Sequence, residues 1–69
     1  MPPLAFGRAR LALVYWESLP QAVRGRALRD LLLAHRGRQR EELEAFARDL
    51  GLEGRLLRLL DEARGGYAF

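Results

Sequence analysis

Cysteine, lysine, asparagine, threonine and isoleucine are absent from this 69-residue chain, and serine, histidine, methionine and tryptophan occur once each. Without cysteine there is neither a disulfide nor a thiolate metal site to reinforce so short a polypeptide. Groups that could converge in an active site are equally scarce. His35, beside Arg36, has no second histidine with which to hold a metal, and is expected to pack partly against the chain near a helix end. Ser18 is accounted for by helix capping. The pairs Glu41 with Glu42 and Asp61 with Glu62 are neighbours in sequence, so on a helix their side chains diverge and do not share a proton or a metal. No glycine cluster has the spacing of a phosphate-binding loop. The chain is therefore expected not to be an enzyme, with no catalytic residue, metal or cofactor.

Long apolar runs are missing too. Nothing approaches the roughly 20 residues of a membrane span. The N-terminus has no basic leader, and Arg8 and Arg10 interrupt the first apolar stretch, so no secretion signal is expected. The expected setting is the cytoplasm, with no membrane partner. All twelve basic residues are arginine, a bias of the kind that GC-rich coding produces. The scarcity of Asn, Gln, Cys and Met fits a thermophilic origin, against which stands the absence of lysine.

What is present is globular in kind: 49% of the residues are hydrophobic and 30% charged, which argues against wholesale disorder. Helical spacing dominates. Four helices are expected, near residues 7–18, 20–35, 39–50 and 53–64, forming a small all-α bundle in a single domain over 1–69. Pro2 and Pro3 disfavour a helix start before Leu4. Residues 11–19, LALVYWESL, are the most apolar stretch. On a helix Leu11, Leu13, Val14, Tyr15, Trp16 and Leu19 point in nearly every direction, so this helix must be covered on several sides, by its own chain or by a second subunit. Val14, Tyr15 and Trp16 also favour a strand, but a lone strand has no partner run elsewhere.

Ser18 and Gln21 have the spacing of a capping box, with Pro20 acceptable in the first turn of the next helix. Along residues 21–35 the apolar Val23, Ala27, Leu28, Leu31, Leu32 and Ala34 cover one wide arc, and Leu33 falls among the arginines of the other. Gly37 is expected to separate this helix from the next; the alternative is one helix from 20 to 50, because Arg38 and Gln39 are poor N-caps. In residues 41–50 the apolar face is Leu43, Phe46, Ala47 and Leu50, with Glu44 and Arg48 an i, i+4 pair opposite. Gly51 stands where a left-handed residue ends a helix. Leu52, Leu56, Leu57 and Leu60 then form a second apolar face, and Gly65 and Gly66 stop the last helix.

Phe46, Ala47, Leu50, Gly51, Leu52, Leu57 and Leu60 resemble the helix-turn-helix pattern: a small residue in the first helix, glycine in the turn and apolar residues packing both helices. The resemblance covers about a third of the chain. It implies a second helix in the DNA major groove, presenting Glu53, Gly54, Arg55, Arg58, Leu59 and Glu62. In that reading Arg55 and Arg58 approach bases, while Arg36, Arg38 and Arg40 hold phosphates. Charge distribution opposes it. Residues 1–40 carry eight arginines against Glu17 and Asp30, whereas residues 41–69 carry four against seven carboxylates, so the basic half is not the half with the motif.

The favoured expectation is therefore a protein-interaction module that self-associates. A chain this short buries a limited fraction of its surface, and surplus apolar surface can be covered by a homo-oligomer. Leu11, Val14, Tyr15, Trp16, Leu33 and Phe69 are the expected contacts, with the basic and acidic halves attracting each other. Nucleic acid is the less favoured partner. An unrelated protein, served by this chain as assembly factor or regulatory subunit through the arginine face of residues 20–35, is the third reading.

Overall fold

The structure is a computed structural model and describes residues 4–65, with side chains from residue 7 onward. Helix α1 spans Leu4–Tyr15 and tightens into a single 3₁₀ turn at Trp16–Ser18. Its buried stripe is Ala9, Ala12, Leu13 and Trp16, spaced i, i+3, i+4, i+7. Two of the four are alanines, whose short side chains let α1 lie close along α2 (Gln21–Arg36); this is the most extensive helix pair in the bundle. The helix is not covered all round. Leu11 and Tyr15 remain 60% and 55% exposed, so α1 has a solvent face, and that face carries apolar side chains beside Arg8 and Arg10. No strand occurs among the described residues.

The expected capping box does not form. The 3₁₀ turn, closed by the Leu19 amide donating to the Trp16 carbonyl at 3.1 Å, uses Ser18 and delays the start of α2. Pro20 then occupies the N-cap position with no side-chain hydrogen bond. α2 buries Leu28, Leu31, Leu32, Ala34 and His35, and ends at Gly37, whose amide donates to Ala34 at 3.2 Å. Helix α3 begins at Arg40 (Arg40–Asp49), so the two helices are separate. His35 and Arg36 close the first and Glu41 and Glu42 open the second, the arrangement that both helix dipoles favour.

Between α3 and α4 (Glu53–Gly65) lies a Schellman turn. Gly51 adopts φ +70°; its amide donates to Arg48 at 3.1 Å, and the Leu52 amide reaches back to Ala47 at 2.7 Å. Ala47 is buried and Leu52 packs against the core, supplying the apolar contact that accompanies such turns. α4 is rotated relative to the expected face. Leu56, Leu59, Leu60 and Ala63 are buried; Leu59, expected outside, is in the core, and Leu57, expected inside, is 69% exposed. The stripe is again i, i+3, i+4, i+7, and Ala63 extends it past Leu60 on the side away from Leu57. Leu50 is 52% exposed, because α3 has already ended at Asp49 and the chain is turning.

All four helices contribute to a single core cluster. The radius of gyration, 10.9 Å, matches the roughly 11 Å of a compact domain of this length. The molecule is a single-domain all-α bundle of four short helices.

A candidate interaction surface

The exposed residues of α1 border a groove. Arg8, Leu11 and Ala12 form one wall and Leu19, Val23, Arg26, Ala27 and Asp30 the other, around a volume of about 330 Å³. The groove exists because Ala12 and Ala27 face it with single methyl groups, while the longer apolar side chains stand at its margins. Arg8 and Asp30 reach across between the two helices at 4.0 Å, leaving the floor apolar and the rim charged. Tyr15 continues the Leu11 ridge one turn on. Leu33, 50% exposed, continues the Arg26 and Asp30 ridge of α2.

The remaining expected contacts fall elsewhere. Trp16 is buried; Arg24 lies over its ring at 5.0 Å and donates through Nη2 to its carbonyl at 3.3 Å. That ring belongs to the core and adds nothing to an outer surface. Val14 is half-buried, and Phe69 lies outside the described residues.

The arginines expected to meet nucleic acid are divided. Arg36, Arg38 and Arg40 are exposed around the α2–α3 turn, with Arg40 3.7 Å from Glu44. Arg58 is exposed on α4. Arg55 turns inward: its Nη1 donates to the carbonyls of Leu13 at 3.0 Å and Val14 at 3.4 Å, and its Nη2 lies 3.8 Å from Glu17. The Arg55 guanidinium is therefore occupied by the end of α1, and only Arg58 of the two is left exposed. Arg24 and Arg55, from two different helices, both bind carbonyls at the end of α1. One sequence signal pointed there: the last turn of α1 contains no basic residue and no glycine, so its unpaired carbonyls need donors from elsewhere.

Glu44 also departs from expectation. Instead of pairing with Arg48 it meets Nε2 of the buried His35 at 3.1 Å, with Arg40 as its second partner. The hydrogen bond with His35, and then the charge of Arg40, hold the Glu44 carboxyl below its ordinary range against the opposing effect of desolvation. This cluster ties α2 to α3 and holds a single carboxylate. Among the described residues no group of three or more His, Cys, Asp or Glu side chains could hold a metal, and no helix is long and apolar enough to cross a membrane.

No family model, curated protein or solved structure matches the chain.

Proposed function

We propose that this chain is a small non-catalytic interaction module that self-associates through the α1–α2 face. The observation that carries the reading is the pair Leu11 and Tyr15, 60% and 55% exposed beside an apolar groove. Burying a leucine or an aromatic ring fully is worth roughly 1.5–3 kcal/mol, and both residues leave more than half of that gain available to a partner.

The test is solution mass by light scattering over a dilution series, at low and high salt, for the wild type and for Leu11→Glu. The wild type is expected to exceed one chain as concentration rises, and Leu11→Glu to stay monomeric with an unchanged helical circular dichroism spectrum. A wild type that is monomeric throughout, or a Leu11→Glu protein of wild-type mass, rejects the proposal.

The competing reading is a helix-turn-helix-like nucleic-acid binder. It draws support from the exposed Arg36, Arg38 and Arg40 and from the short glycine turn between α3 and α4. It must do without Arg55, and its signature is affinity for duplex DNA that falls steeply with salt.

A further inference from the structure

We infer that the α1–α2 groove receives the outer face of α4 from a second copy, so that association is head-to-tail; this rests on the self-association proposed above. Among the described residues the most exposed large apolar side chain is not in the groove but on α4. Leu57 is 69% exposed, and one helical turn to either side of it stand Glu53 and Asp61, both exposed. The ridge therefore presents an apolar knob between two carboxylates; with the exposed Glu62, Arg58 and Arg64, the outer side of α4 carries three carboxylates against two arginines. The groove presents the complement: an apolar floor of Ala12 and Ala27 between Arg8 on one wall and Arg26 and Asp30 on the other, two arginines against one aspartate. Arg8 remains 66% exposed while near Asp30, so its charge still faces outward. A cavity of about 330 Å³ admits a leucine side chain, and a helix ridge entering a groove is a recurrent docking mode.

Charge decides between this contact and a symmetric one. Pairing groove with groove sets one net-positive lining, two arginines against one aspartate, against another and leaves Leu57 in water; like charges juxtaposed at an interface are costly. Pairing groove with α4 opposes arginines to carboxylates and covers both apolar surfaces. The same complementarity extends over the whole chain, with eight arginines against two carboxylates in residues 1–40 and four against seven in residues 41–69. Each copy then carries one groove and one ridge, a heterologous arrangement that adds copies in series or closes into a ring.

Two surface variants and their mixture test the inference. Leu57→Glu, like Leu11→Glu, is expected to be monomeric where the wild type associates, with association weakened at least about tenfold. Mixed in equal amounts, the two variants are expected to form a complex of one chain each and to stop there, because Leu11→Glu retains an intact ridge and Leu57→Glu an intact groove. If Leu57→Glu associates like the wild type while Leu11→Glu does not, the groove pairs with something other than α4; self-association survives and the head-to-tail contact is rejected. Failure of the two variants to form a mixed complex rejects the contact as well. A wild type that is monomeric at every concentration rejects both.

Discussion

Carbonyls in the last turn of a helix need donors once the helix stops, and in α1 those donors come from α2 and α4 rather than from α1 itself. Arg55 supplies two hydrogen bonds to Leu13 and Val14 with its side chain only 24% exposed. Its ion pair with Glu17, 3.8 Å long and with Glu17 71% exposed, adds little. A hydrogen bond to a charged group contributes about 1.5–3 kcal/mol, so Arg55→Ala is expected to destabilise the fold by about 1–2 kcal/mol after allowing for partial exposure. Urea unfolding checks this: the midpoint should fall with an unchanged slope, and an unmoved midpoint removes the capping role. Glu44 gives a pH prediction. Its carboxyl titrates lower in the folded chain, chiefly through its hydrogen bond with His35. Its contribution is therefore present above the ordinary carboxylate range and is lost as pH falls through the lowered folded value. Glu44→Gln should be less stable than wild type near neutrality, with the difference shrinking through the acid range. Parallel stability profiles for the two proteins contradict it.

Two glycines near the α3–α4 turn have opposite roles, although a β-carbon meets open space at both. Gly51 sits at φ +70°, where an L-residue costs about 1–2 kcal/mol, so Gly51→Ala is expected to lower stability by about that much. Gly54 has no positive φ and lies in the first turn of α4. Replacing it with alanine restricts the unfolded chain and should raise stability by about 0.4–1 kcal/mol. Thermal melts of the two variants, run below the concentration at which the chain associates, should move in opposite directions; shifts of the same sign would refute the assignment of the turn. The Gly51 turn was legible because a Schellman end is a local event, settled by which residue tolerates the left-handed region. The rotation of α4 was not. Leu56, Leu57, Leu59 and Leu60 leave the apolar arc nearly continuous, and only the position of α2, its main neighbour, selects Leu59 over Leu57.

The bundle as a whole is short of interior. A chain of 69 residues buries a limited fraction of its surface, and here Leu11, Tyr15, Leu33, Leu50 and Leu57 are each at least half exposed. Their distribution over both ends of the sequence matters more than their number. With eight of the twelve arginines in residues 1–40 and seven of the nine carboxylates in residues 41–69, one molecule offers an apolar groove lined by two arginines and one aspartate and an apolar ridge flanked by two carboxylates. Salt is therefore expected to weaken the oligomer of the dilution series without dissolving it, since screening acts on the charged rim while apolar burial persists. Binding driven by phosphate contacts would fall far more steeply over the same range.

Helix number, approximate ends, the break near Gly37 and the reversal at Gly51 were all readable from spacing and turn chemistry, because each depends on residues within one or two turns of one another. So was the surplus of apolar surface in residues 11–16, although not its location. Ser18 does not cap α2 because it is taken up as the last residue of a 3₁₀ turn. Trp16 enters the core as the last residue of the buried stripe, with Arg24 of α2 over its ring, and Arg55 turns inward because the end of α1 needs donors. Glu44 prefers His35 to Arg48 because α2 brings a buried imidazole within 3.1 Å. Each of these outcomes depends on a partner at least eight residues away or on a competing local geometry, and such contacts are chosen only when the helices pack.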